Sequence, residues 1–76
     1  MNFENEVIVD ARGIKCPLPV LKARKKIRCI PKGSRLRILC TDPLAEIDIP
    51  HMVSTDGHAI IDRGESDGVI WFLVEV

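Results

Sequence analysis

The 76-residue chain predicts an α+β fold: a βαβαββ two-layer sandwich, with one mixed four-stranded sheet and two helices packed on one face. Three observations carry this. β-branched alternating segments are separated by segments with helical periodicity, in the order β-α-β-α-β-β. Proline and glycine punctuate nearly every boundary between them. The length allows one small core, so residues 1–76 are expected to be a single domain.

The first strand is Glu6 to Ala11, EVIVDA, which alternates apolar and polar and is ended by Gly13. From Pro17 the period changes: Val20, Ala23, Ile27 and Ile30 form a helical stripe, while Lys22, Lys25, Lys26 and Arg28 fill the opposite faces. Pro17 suits a first helical turn, where its missing N–H is not needed. Pro31-Lys32-Gly33 ends this helix, and Ser34 to Thr41 reads as a second strand with Leu36, Ile38 and Cys40 on one face. A second helix is predicted from Thr41-Asp42-Pro43, with Asp42 as N-cap, Pro43 at the first helical position, and Leu44, Ile47, Met52 and Val53 as its apolar side. Pro50 predicts a kink or restart there, with Asp48 as a second cap, and Gly57 closes the helix. His58 to Glu65 and Val69 to Val76 are strand segments whose Asp67-Gly68 junction predicts an antiparallel hairpin.

Composition narrows the function. Hydrophobic residues make up 46% and charged residues 29%, a globular balance, and with only two Phe, one Trp and no Tyr the core must be aliphatic. No apolar run is long enough to span a membrane, and the polar start MNFENE lacks the pattern of a secretory signal, so the expected location is cytoplasmic. Three cysteines without paired CxxC spacing fit free thiols in a reducing compartment. Net charge is zero, yet residues 1–41 carry ten Lys/Arg against three Asp/Glu, and residues 42–76 carry one against eight. That split fits docking on a charged partner, and it equally fits ordinary solvated charge.

Cys16 is the residue whose position suggests chemistry. It immediately precedes the first helical turn, where unpaired N–H groups and the helix dipole favour a thiolate or persulfide anion, and Arg12 and Lys15 lie close in sequence. Pro17 and Pro19 stiffen that turn and would hold the sulfur in one exposed position. On position alone, a reactive thiol and a small buried hydrophobe are both open readings. Cys29 and Cys40 lack such a setting and read as bystander and core residues. His51 and His58 have no cysteine at zinc-ligand spacing, so no metal site is expected, and no cofactor. No base stands near Cys16 in sequence to make it a hydrolase nucleophile. An internal disulfide would need Cys16 near Cys29 or Cys40, and the helix between Cys16 and Cys29 holds those two apart. The basic helix lacks interleaved aromatics for stacking bases, so direct nucleic-acid binding is not expected. An acidic protein surface is the better match for Lys22, Lys25 and Lys26.

The segments DARGIKCPLP (Asp10 to Pro19) and TDPLAEIDIPHM (Thr41 to Met52) give the chain a resemblance to the TusA/SirA family of small sulfur carrier proteins, running from about Ile8 to Val76. Cys16-Pro17-Leu18-Pro19 matches the family's CPxP, placed after D-x-R-G and followed by DP, DIP and a GH before the third strand. Ile14 stands where leucine is usual, a mild departure. The resemblance implies a βαβαββ sandwich similar to the C-terminal domain of bacterial translation initiation factor 3. It also implies that Cys16 carries sulfane sulfur as a persulfide, supported by Pro17, Pro19, Gly13, Arg12 and Asp10. The implied partners are a cysteine desulfurase or rhodanese-type sulfurtransferase as donor and a downstream acceptor protein; for so small a transient carrier a monomer is expected. Family pathways include tRNA thiolation, molybdenum cofactor metabolism, sulfur oxidation and selenium-related chemistry. The alternative from another class is a regulatory or binding module that uses the basic first helix.

Overall fold

The computed structural model describes residues 6–76, and the polar start read above lies, up to Asn5, outside the described residues. The elements are β1 (Glu6–Ala11), α1 (Leu18–Ile27), β2 (Arg35–Cys40), α2 (Ala45–Thr55), β3 (Ala59–Ser66) and β4 (Val69–Glu75). They form the predicted α+β arrangement, one mixed sheet with two helices.

Strand order is β1-β2-β4-β3. β1 and β2 are parallel, with Val9 opposite Ile38 and Ala11 opposite Cys40. β4 inserts antiparallel between β2 and β3, with Phe72 opposite Ile38. The reason is compositional. A central strand is paired on both edges, and the apolar VIWFLV, buried over most of its length, suits that place, whereas the polar and mostly exposed AIIDRGES suits an edge. Asp67 and Gly68 both have positive φ (53° and 80°), the type I′ geometry that joins β3 to β4. The hairpin register slips between Ile60 and Asp62, so Ile61 is the extra residue of a bulge.

The core fills the space between sheet and helices. Val9, Ala11, Leu36, Ile38, Cys40, Ile70, Phe72 and Val74 come from the sheet, and Ala23, Ala45, Ile49, Met52 and Val53 from the helices. At roughly 1.5–3 kcal/mol for each large side chain removed from water, this cluster is the main source of stability. Val20, Ile27 and Ile30 of the predicted stripe are partly buried against it.

Four expectations are corrected here. α1 ends at Ile27, so Cys29 lies in the turn after the helix rather than within it. α2 is one continuous helix through Pro50, so it does not restart there. The proline sits in the second turn, where it removes a single hydrogen bond, and the burial of Ile49, Met52 and Val53 carries the helix past it. Asp48 is therefore not a second cap. Finally, Leu44 and Ile47 are 54% and 68% exposed, because the buried stripe of α2 is Ala45, Ile49, Met52 and Val53.

The end of α2 follows the sequence. Gly57 has φ 81°, its N–H donates to Ser54 O at 3.2 Å, and that of His58 donates to Val53 O at 2.9 Å, a Schellman closure. The start is capped a turn early: Asp42 Oδ1 accepts from Leu44 N at 3.1 Å, although the regular helix begins at Ala45.

Candidate functional site

Parallel pairing of β1 and β2 brings their C-terminal ends side by side, so the loops that follow, 12–17 and 41–44, must meet. Gly13 turns the first loop with φ 80°, and its N–H donates to Thr41 Oγ1 at 2.9 Å. The N–H of Cys16 donates to Asp42 Oδ2 at 2.8 Å. One carboxylate thus holds the backbone of Cys16 with one oxygen and the first turn leading into α2 with the other. The bonds to it hold Asp42 below the usual carboxylate range, the Cys16 N–H being the largest influence.

Cys16 itself is half-buried, with a cis peptide bond to Pro17. Its Sγ donates to Asp48 Oδ2, from the first turn of α2. This overturns the expectation of a stabilised thiolate. The hydrogen bond to Asp48, then burial, then the charges of Asp48 and Asp42 push the thiol up to about 11. The helix start offers no compensation. Pro17 and Pro19 have no N–H, Leu18 N donates to Lys15 O at 2.9 Å, and Val20 N donates to Pro17 O at 3.1 Å, so those donors are missing or spent. Arg12 is also committed elsewhere: its guanidinium grips Asp10 at 2.8 and 2.9 Å, and its backbone N–H donates to the same carboxylate. That grip holds Asp10 well below the usual carboxylate range. Pro17 is exposed, whereas Pro19 is fully buried and anchors the first turn of α1 to the core.

The thiol has an apolar frame. Leu18 and Leu21 of α1 and Leu44 and Ile47 at the start of α2 are each more than half exposed. Three-residue spacing puts each pair on one helix face, and the contacts of Cys16 with Asp42 and Asp48 bring the two helix starts together. Exposed aliphatic residues grouped on two neighbouring helix starts mark an interaction surface.

Lys22, Lys25 and Lys26 lie elsewhere. With Ile8, Val9, Asp10 and Cys29 they line an open cleft of about 390 Å³ between α1 and edge strand β1. Lys22 is partly spoken for, since its Nζ donates to Asp10 O at 2.6 Å. The three cysteines are free thiols: Cys29 is exposed, Cys40 is buried, and burial first and the charge of Asp42 second push Cys40 up to about 11. Among the described residues no cluster of three His, Cys, Asp or Glu side chains could hold a metal ion, and no helix is long and apolar enough to cross a membrane.

The sequence singles out Cys16 and the loop around it, but not the two aspartates that meet it, Asp42 and Asp48. The sequence reads Asp42 as a cap, which it partly is, and Asp48 as a second cap, which it does not form. The signal available was weak: two aspartates six residues apart can both face the loop of a neighbouring parallel strand only if that strand order is already known.

Comparison with known proteins gives a consistent result. A family model described as sulfurtransferase TusA matches residues 7–76. A protein of Neisseria meningitidis serogroup B is 37% identical over 71 residues, covering 93% of this chain and 96% of its own. The sulfur carrier protein TusA of Pseudomonas aeruginosa PAO1 is 31% identical over 74 residues, covering 97% of this chain and 94% of its own. The crystal structure of a SirA-like protein from Desulfitobacterium hafniense superposes with a TM-score of 0.82 at 25% identity, over 92% of this chain and 96% of that one. On a family match from residue 7 to residue 76, supported by relatives at these identities over nearly their whole length, the chain belongs to the TusA family.

Proposed function

We propose that the protein is a cytoplasmic sulfur carrier that accepts sulfane sulfur as a persulfide on Cys16 and relays it to an acceptor protein. The observation that carries this reading is the placement of Cys16: a half-buried thiol where two loops and two helix starts meet, inside an exposed apolar frame. The sulfur-carrier names of its relatives support it. A cysteine desulfurase or rhodanese-type protein is the donor class that fits, and tRNA thiolation is one pathway for the relayed sulfur. In this reading Asp10, Arg12, Gly13, Pro17 and Pro19 shape the loop rather than touch the sulfur. Leu18, Leu21, Leu44 and Ile47 receive the partner's surface around its own cysteine. Lys25, Lys26 and, less freely, Lys22 give a second point of contact for an acidic flank of the donor.

The test is intact-protein mass spectrometry after anaerobic incubation with a cysteine desulfurase and free cysteine. Wild type is expected to gain sulfur that reductant removes, and Cys16→Ser is expected to fold and gain none. Equal loading of both would exclude Cys16 as the carrier site. Reversing the charges of Lys22, Lys25 and Lys26 together is expected to slow transfer from the protein donor while leaving persulfidation by a small molecule intact. Salt-sensitive RNA binding that does not depend on Cys16 would instead support the binding-module reading of the basic helix.

A further inference from the structure

We infer that Asp48 is the proton acceptor of sulfur uptake: its carboxylate takes the Sγ proton of Cys16 as that sulfur attacks a donor persulfide. The inference rests on the carrier reading above. It starts from geometry, because the Sγ–H of Cys16 is already directed at Asp48 Oδ2, so the carboxylate stands where the proton must leave.

The surroundings of Cys16 leave little else for this task. Lys15 and Arg12 flank the thiol in sequence, and Arg12 is closed onto Asp10. Asp42, the other carboxylate beside it, is engaged with the N–H groups of Cys16 and Leu44. The backbone donors that could have stabilised a free thiolate are absent or internally bonded. A thiol raised well above neutrality is a poor nucleophile unless its proton departs as the new bond forms. An adjacent base is the usual remedy, and here it is a carboxylate from a different helix.

The step balances without an oxidant or reductant. Cys16 Sγ attacks the terminal sulfur of the donor R–S–SH, the donor's S–S bond breaks, and a Cys16–S–SH bond forms. The Sγ proton passes to Asp48 and then to the leaving thiolate, giving R–SH. The sulfur retains its sulfane oxidation state, exchanged from one thiol to another. Delivery runs the same sequence backwards: the acceptor's thiol gives its proton to Asp48 as its sulfur takes the terminal sulfur, and Asp48 passes that proton to Cys16 Sγ as the Cys16 S–S bond breaks.

The experiment uses the full chain carrying Cys29→Ser, so that Cys16 is the accessible thiol while Cys40 stays buried. Two rates are measured at pH 8 for Asp48, Asp48→Asn and Asp48→Glu: alkylation by iodoacetamide, and sulfur uptake from glutathione persulfide read by intact mass. Asp48→Asn keeps the side-chain shape, and a thermal melt checks its fold. Removing the carboxylate's charge releases the thiolate, so alkylation is expected to accelerate about tenfold or more. Uptake is expected to slow about tenfold or more, because the acceptor is gone, and Asp48→Glu is expected to recover part of it. Opposite movement of the two rates is the signature. If uptake accelerates together with alkylation, Asp48 only suppresses the thiolate and the inference is overturned. If neither rate changes, Asp48 does not govern the thiol at all. A parent protein that takes no sulfur from glutathione persulfide or from an active desulfurase defeats the carrier reading itself, a result separate from either of those.

Discussion

Replacing Gly64 by alanine should destabilise the protein through a single neighbour, Trp71. A Cβ built on Gly64 would lie 2.6 Å from Trp71 Cζ2 and 2.8 Å from Cε2, far inside contact distance. The indole must therefore shift, and it is not free to. Arg37 stacks on the ring with its Cζ 4.8 Å from the centroid, and Arg37 is itself held by Glu6 at 3.0 and 3.3 Å. Overpacking of this kind costs about 1–3 kcal/mol. Loss of the cation–π contact at a partly exposed site adds about 0.5–1 kcal/mol. Against these, alanine in a strand restricts the unfolded chain and stabilises by about 0.4–1 kcal/mol. The balance is a loss of roughly 0.5–3.5 kcal/mol, centred near 2, and a loss of about 2 kcal/mol lowers Tm by about 8–16 °C for a domain of this size. Thermal melts followed by circular dichroism on wild type, Gly64→Ala, Trp71→Ala and the double variant test it. With Trp71 removed, Gly64→Ala should become neutral or stabilising, so the two positions should couple strongly. Equal destabilisation by Gly64→Ala in both backgrounds would refute the argument, because the cost would then come from the backbone and not from the ring.

Further outcomes follow from the same geometry. The Cys16 and Cys40 thiols both sit at about 11 in the folded state against an ordinary value of 9.0, so the unfolded chain loses these protons first. Stability should hold below about pH 9 and decline as pH rises towards 11, and Cys40→Ala should lessen the decline in urea melts; equal urea midpoints at pH 8 and pH 10.5 would contradict this. On the acid side, Glu6, Asp42 and Asp56 are all held below their ordinary values, Glu6 by Arg37, Asp42 by backbone N–H groups and Asp56 by Arg24. Their contribution is present above the ordinary carboxylate range and is lost as pH falls through it, so Asp42→Asn should flatten the acid limb of a stability–pH curve. Leu18→Glu and Ile47→Glu alter side chains that are 52% and 68% exposed, so Tm should change little. Transfer from a protein donor should nevertheless fall roughly fivefold or more, with uptake from glutathione persulfide unchanged; equal effects on both donors would rule out a docking role.

What the sequence by itself determined is what local chemistry can encode. The alternation in EVIVDA, the apolar run VIWFLV, the helical stripe through Ala23, the Asp67-Gly68 turn and the Gly57 closure each depend on residues a few positions apart, and each is found where the pattern put it. Cys16 was legible too, because a thiol between a strand and a proline-bounded helix is a local fact, and the surrounding D-x-R-G and CPxP residues carry the family resemblance. Tertiary structure alone decided the rest. The insertion of β4 between β2 and β3 joins segments far apart in the chain, and it places the more buried, apolar strand inside the sheet and the polar, exposed one at its edge. The face of α2 that is buried, Ala45 and Ile49 with Met52 and Val53 rather than Leu44 and Ile47, is set by what lies beneath the helix, not by its own periodicity, since apolar residues occur on more than one side of it. The chemistry of Cys16 reversed for the same reason. Its sequence neighbours Arg12 and Lys15 are basic, yet the groups that reach it, Asp42 and Asp48, come from 26 and 32 residues away, brought there by the parallel pairing of β1 with β2. Electrostatic energy depends on distance in space, and the fold alone fixes that distance.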